Sequence, residues 1–290
     1  MSRSLECLCR LSRSSANELP RMQAYASGSS HAVSISVVLP ALDEAQTIKS
    51  AITMVPVERL RQLGFLEVEI IVVDNNSADP TADRARESHA TVIFERHRGY
   101  GRALRTGFLH ARGDVIVIGD ADCTYPFDQL EVLLKPILEG SADLVTGSRV
   151  RGRILPGAMP PLHRYVGVPL LTFIMNALFG LKVSDGHCGM RAMTRRSLQS
   201  MQLISDGMEF ATELLVRAAQ SGLRIAEVPI EYRPRPDSST SKLSSFRDGW
   251  RHLRFMLAEF ARALFLPRRS LRDLQPRPMP ETATLIESEQ

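Results

Sequence analysis

Residues 115–126 read VIVIGDADCTYP. A run of β-branched apolar residues stops abruptly at two aspartates, Asp120 and Asp122, one residue apart. A short, wholly apolar run of this kind suits a strand buried on both faces. In extended chain, residues i and i+2 point the same way, so the two carboxylates are delivered to one place. Two chemistries use that arrangement. One is a divalent cation, Mg2+ or Mn2+, held on the carboxylates with positions open for phosphate oxygens. The other is an aspartyl nucleophile with a second aspartate as acid/base, the DxDxT pattern of haloacid-dehalogenase-type phosphatases. That second motif usually opens its domain, whereas here three strands are predicted before it.

Those earlier strands are SISVVLP (34–40), VEIIVVD (68–74) and TVIFE (91–95), and DVIVIGD (114–120) is the fourth. Helical patterns fall between them: DEAQTIKSAITMV, then ADPTADRARE with Asp79 as N-cap and Pro80 at the first helical position, then GRALRTGFLHA. The repetition predicts an α/β fold with a Rossmann-like, mostly parallel sheet flanked by helices. Ligands bind such sheets at the carboxyl ends of the strands. Here those ends read PALDE, DNNS and DADCT, so one acidic crevice is expected.

The second half is less regular. A strand DLVTGSR (143–149) is followed by a Pro/Gly-rich loop, an uncharged segment Tyr165–Leu181, the stretch SDGHCGMRA, a helix GMEFATELLVRAAQSG and a strand RIAEVPIEY. The uncharged segment is shorter than the ~20 residues a span needs, and Pro169 and Asn176 interrupt it. It is expected to be an interfacial or buried helix. A final amphipathic helix carries Phe246, Trp250, Leu253, Leu257, Phe260 and Leu264 on one stripe, flanked by Arg247, Arg251, Arg254 and Arg262. Such a stripe suits an anionic membrane surface, and equally a contact with the enzyme's own domain or with a second subunit in a homo-oligomer.

The 290 residues allow one α/β domain. The expected division is a tail at 1–32, a catalytic domain at 33–242, a basic helical extension at 243–272 and a second tail at 273–290. A net charge of +4 is too mild to indicate a nucleic-acid partner. Between Lys242 and Arg272, however, eight Lys/Arg face two Asp/Glu. The cysteines, Cys7, Cys9, Cys123 and Cys188, lack zinc-ligand spacing, and a reduced, cytoplasmic setting is the simplest reading. HRGYGRALRTG (97–107) fails the dinucleotide fingerprint because Leu104 stands where the third glycine belongs. Arg98 and Arg102 are nonetheless candidates to lie over a diphosphate, and Asp74 to accept from a base edge or ribose hydroxyl. Asn75 and Asn76 favour a turn with or without a ligand.

Together VVLPALDEA, IIVVDNNSAD, RGYGRAL, GDADCTYP, VTGSR, HCGMRA and SKL resemble family-2 glycosyltransferases of GT-A fold, over about residues 34 to 255. The branch they resemble is that of dolichyl-phosphate and polyprenyl-phosphate sugar synthases. The resemblance implies a metal on Asp120 and Asp122, with Asp122 essential to catalysis. It implies a nucleotide-diphosphate sugar bound by Pro40, Ala41, Asp43, Glu44, Asp74, Asn76, Arg102, Asp120, Ala121 and Arg235. It implies an acceptor lipid phosphate held by Arg149 and Arg164, attacking with inversion. Thr124 stands where mannose synthases carry a glutamine metal ligand, and the longer loop before SKL makes Arg233 an alternative to Arg235. Location is expected to be peripheral, on the cytoplasmic membrane face. A family-2 enzyme with a soluble acceptor, the phosphatase, and a non-catalytic nucleotide-sugar-binding protein are the alternatives.

Overall fold

The computed structural model describes residues 33–236 and 245–265. The expected tails and the SKL motif lie outside these described residues. Within them a seven-stranded sheet has the order β3-β2-β1-β4-β6-β5-β7. Its strands are β1 (Val33–Ala41), β2 (Phe65–Asp74), β3 (Thr91–Phe94), β4 (Val115–Ile118), β5 (Leu144–Ile154), β6 (Arg191–Thr194) and β7 (Ile225–Tyr232). β1 pairs in parallel with β2 and β4, β2 with β3, and β5 with β7. β6 runs antiparallel to both β4 and β5 and joins the two halves. This is the mostly parallel α/β sheet expected.

Alternation along the strands builds two cores. Val37 and Leu39 of β1, with Val115 and Val117 of β4, face one layer. That layer holds the helices α1 (Ile48–Thr53), α2 (Val57–Gln62), α3 (Thr81–Glu87) and α5 (Leu130–Leu138). Val38, Ile116 and Ile118 face the other, formed by α4 (Tyr100–His110), α6 (Val168–Phe179), α8 (Phe210–Gln220) and α9 (Ser245–Phe265). A short helix, α7 (Arg195–Gln199), follows β6, capped by Thr194 Oγ1 accepting from the Ser197 amide at 3.0 Å. Each fully buried aliphatic such as Ile116 or Leu104 contributes about 1.5–3 kcal/mol.

One expectation changes, one strand is new, and the uncharged segment is a helix as expected. The first helix begins at Ile48, not near Asp43. Asp43 sits at φ 52° and its Oδ1 accepts from the Ala78 amide at 2.6 Å, so residues 43–47 form a crevice loop instead. β6 gave no strand signal, because RAMT is four residues long and starts with a charge. The uncharged segment becomes a π-type turn at His163–Gly167 leading into α6, which Gly180 ends at φ 68°, a left-handed conformation that favours glycine. No helix among the described residues is long and apolar enough to cross a membrane.

Candidate active site

The carboxyl ends of β1, β2 and β4 meet at one edge of the sheet. The β1–β2 register sets Pro40 beside Val73 and Ala41 beside Asp74. Asp74 is buried and its Oδ1 accepts from the Ser77 amide at 3.2 Å. The Glu44 amide donates to Thr81 Oγ1, and its carboxylate accepts from Thr47 Oγ1 at 2.9 Å. Asn76 takes φ 63°, and its carbonyl accepts from Arg98. These contacts make a braced, acid-lined rim.

Asp120 and Asp122 follow β4 directly, with Ala121 buried between them. Thr124 donates its amide (3.0 Å) and hydroxyl (2.6 Å) to Asp122 Oδ1. Thr124 therefore orients Asp122. Arg235 forms an ion pair with the other oxygen, Oδ2. Tyr100, at the start of α4, donates to Asp120 Oδ1 at 3.1 Å. Desolvation and the nearby Asp122 charge push the Asp120 carboxyl up to about 7, although Tyr100, Arg235 and Arg149 pull the other way. Negative charge is thus crowded here beyond what the arginines neutralise, and a divalent cation fits that donor pair. Among the described residues no three His, Cys, Asp or Glu side chains converge as a metal cage. Further ligands would come from outside the chain, as diphosphate oxygens do. Gly189 leaves room for the pair, since a Cβ there would lie 3.1 Å from Asp120 Oδ2.

The arginines are distributed differently from the sequence expectation. Arg149 is buried and bidentate to Asp185, with Nε–Oδ2 2.7 Å and Nη2–Oδ1 2.8 Å, and its guanidinium carbon lies 5.2 Å from the Tyr232 ring centroid. Burial opposes both charges, but each partner outweighs it: Asp185 is held below the usual carboxylate range and Arg149 above its own. Arg102 joins Arg105 on Asp206, at 3.2 and 3.0 Å, and has no described contact with Asp120 or Asp122. Arg164 is exposed, its guanidinium carbon 5.3 Å from the Tyr165 ring centroid. Arg233 is taken by Asp128 and Glu231. Arg235 is therefore the arginine of its loop that reaches the carboxylates.

Sequence reasoning missed Tyr100, Gly189 and Arg191. Arg191 is 1% exposed, donates Nη2 to the Gly186 carbonyl at 3.0 Å, and leaves Nε without a partner. Arg235 Nη1 and His187 Nδ1 are likewise buried without a hydrogen-bond partner. Buried polar atoms are normally satisfied, so the open guanidinium donors of Arg191 and Arg235 are available to a ligand's oxygens or to water. Tyr100 could have been found from its place between two glycines in RGYGRAL; Arg191 carries no such signal. Glu213 is structural: its carboxylate accepts from the Ile204 and Ser205 amides at 3.0 and 2.8 Å. Burial pushes Cys123 up to about 11 and Cys188 up to about 12, which makes both poor nucleophiles at neutral pH.

Comparison with known proteins bears on the family and the fold. The family model described as Glycosyl transferase family 2 matches residues 36–201. A relative from Haloferax volcanii, the low-salt glycan biosynthesis hexosyltransferase Agl6, is 45% identical over 236 residues, 81% of this chain. The match spans only 55% of that relative's length. A dolichyl-phosphate hexose transferase of the same organism is 35% identical over 217 residues, covering 74% of this chain and 89% of the relative. Among solved structures, glucosyl-3-phosphoglycerate synthase from Mycobacterium tuberculosis, in complex with Mn2+, UDP and glucosyl-3-phosphoglycerate, superimposes with a TM-score of 0.63. It is 27% identical, and 82% of each chain is covered.

Proposed function

The chain belongs to glycosyl transferase family 2 and has the GT-A fold, and from that premise we propose that it transfers a hexose from a nucleotide-diphosphate sugar to the phosphate of a polyprenyl or dolichyl lipid. The observation that carries the reading is the crowded pair Asp120 and Asp122 beside an open Arg235 donor. That combination suits a metal-bound diphosphate. Asp120 and Asp122 hold Mg2+ or Mn2+, and the ion supplies Lewis-acid neutralisation of charge on the departing nucleoside diphosphate. Family membership sets aside the phosphatase reading.

The chain's own residues then divide the work. The rim of Pro40, Ala41, Asp43, Glu44, Asp74 and Asn76 receives the nucleoside. Tyr100 and Thr124 hold the two aspartates in place before substrate arrives. Arg235 swings its open Nη1 toward a diphosphate oxygen. A phosphate oxygen of the acceptor attacks the anomeric carbon from the face opposite the leaving group, with inversion. It is already anionic, so no strong general base is needed. It needs cationic positioning. Arg149, fixed by Asp185 through Nε and Nη2, keeps Nη1 outside that pair for the acceptor phosphate. Arg164 lies on the surface segment by which a lipid would approach. A lipid acceptor with a water-soluble donor also implies peripheral work at the cytoplasmic membrane face.

One alternative has specific support. The solved neighbour's complex contains glucosyl-3-phosphoglycerate, a sugar joined to a small phosphorylated acid. A soluble phosphorylated acceptor would use the same arginines. A panel of labelled nucleotide sugars, offered with polyprenyl phosphate in one arm and phosphoglycerate in the other, separates the two. Label is expected in the organic phase and to require Mg2+ or Mn2+. Label confined to a water-soluble product would transfer the assignment to the soluble acceptor.

A further inference from the structure

α9 turns its carboxylates and His252 inward and leaves Phe246 and Trp250 outward. The inner line is Asp248, His252, Met256 and Glu259, all buried. Its polar members are tied down: His252 Nδ1 lies 2.7 Å from Thr212 Oγ1, and Glu259 accepts from Arg217 at 2.7 Å. The outer side carries Phe246 and Trp250, 86% and 61% exposed, with Leu257 and Leu264 also exposed. Packing against the enzyme's own domain accounts for Leu253 of the stripe seen in the sequence, but not for these four exposed side chains. The hydrophobic effect rewards none of these side chains unless another surface covers them.

α9 packs against α6. The segment that enters and forms α6 exposes Leu162, Tyr165, Val166, Leu170 and Phe173. Most of the large apolar side chains exposed among the described residues belong to α9 or to α6 and the turn that enters it. Charge narrows the choice of partner. Residues 155–183 contain no Asp or Glu, and both carboxylates of α9 face inward. The exposed charges are Arg164, Lys182, Arg247, Arg254 and Arg262, all positive, although Arg247 and Arg262 also pair with Asp248 and Glu259.

We infer that the outer sides of α6 and α9 form a docking surface for a membrane rich in anionic phospholipid. Aromatic and aliphatic side chains enter the headgroup boundary, and the arginines meet lipid phosphates. A second copy of the chain is a poorer fit, because a two-fold contact sets the same surface, arginines included, against itself. The inference deepens the proposed lipid acceptor and rests partly on it. The docking helix also reaches the site: Thr212 Oγ1, bonded to His252, lies 3.3 Å from His187 Nε2, two residues from Asp185. A lipid phosphate arriving at Arg149 would therefore leave a membrane held close by.

The test is flotation of the full chain with phosphatidylcholine vesicles, with and without phosphatidylglycerol. Each exposed arginine is expected to add about fivefold to partitioning on the anionic vesicles, and high salt to remove that gain. Trp250→Glu combined with Phe173→Glu should abolish flotation without changing the melting temperature, since both side chains are exposed. The double variant should keep wild-type turnover on a short, water-soluble isoprenyl phosphate and lose it on acceptor embedded in vesicles. Absence of flotation on both vesicles, equal flotation on both, or unchanged flotation of the variant would overturn the inference. A wild-type dimer in sedimentation that the variant splits, with no flotation, would assign the surface to a second copy. Flotation as expected, with no transfer to any lipid phosphate, would keep the docking surface and remove the lipid-acceptor reading.

Discussion

The two halves of the sheet bring opposite charges to the site by different means. The β1–β4 half delivers carboxylates: Asp43, Glu44, Asp74, Asp120 and Asp122 all sit at or just past strand ends. Their positions follow from local rules, because parallel strands place their carboxyl termini along one edge. The half beyond β4 delivers cations: Arg149 on β5, Arg191 on β6 and Arg235 after β7. Arg191 bonds the carbonyl of Gly186, five residues away, but the other two are positioned by partners distant in sequence. Arg149 depends on Asp185 and Arg235 on Asp122, 36 and 113 residues away. An acidic rim can be built from loops on a regular scaffold, whereas a cation aimed at it needs buried counter-charges to hold it.

The largest expected effect strikes the acidic half. Asp122→Asn should reduce transfer by at least about 1,000-fold, the loss of several kcal/mol of electrostatic assistance. Thr124 still bonds to the substituted side chain, so circular dichroism should remain that of wild type. Label transfer by the purified variant at wild-type rate would end the assignment of Asp122. In the cationic half, Asp185→Asn strands the buried Arg149 charge and should cost about 3–5 kcal/mol in denaturant unfolding. Replacing the pair together, Arg149→Met with Asp185→Leu, should restore much of that stability without restoring turnover. Restored turnover would make the pair a purely structural feature.

The histidines that link α9 to the site give a third test, with a defined sign. Burial depresses His252 to about 4, and burial together with the neighbouring His252 places His187 well below its ordinary value. Above about pH 6.5 both are neutral in folded and unfolded chains. As pH falls below that, the unfolded chain takes up protons that the folded one refuses, so stability drops until the folded value near 4 is reached. For His252 alone the drop totals on the order of 3 kcal/mol. Urea midpoints measured from pH 7 to 4.5 should show it, and His252→Gln should flatten the curve. Identical curves for the two proteins would contradict the buried neutral pair. The smallest effect belongs to Tyr100→Phe, which deletes one hydrogen bond to Asp120. It should cost about 0.5–1.5 kcal/mol, read as a several-fold fall in kcat or a weaker metal requirement. No change in either would leave Tyr100 as packing alone.

The sheet was legible because its signals are local. Continuous Val/Ile runs read as buried parallel strands, and the residues that end them read as ligand-facing. β6 was not legible: four residues beginning with a buried arginine carry no period, and only pairing with β4 and β5 makes them a strand. The first helix was overextended in the sequence reading because Asp43 to Thr47 favour helix less than they favour their bonds to Ser77, Ala78 and Thr81.

By itself the sequence determined where the carboxylates stand and that the last helix has an apolar stripe, because strand and helix periods are properties of consecutive residues. Only the tertiary structure decided which arginines reach the site and which face of α9 is buried. Charge partners are chosen by distance in space: Arg102 takes Asp206, Arg149 takes Asp185 and Arg235 takes Asp122. For α9, Thr212 and Arg217 satisfy His252 and Glu259 on the inner side. That makes burial of the polar face affordable and leaves Phe246 and Trp250 outside.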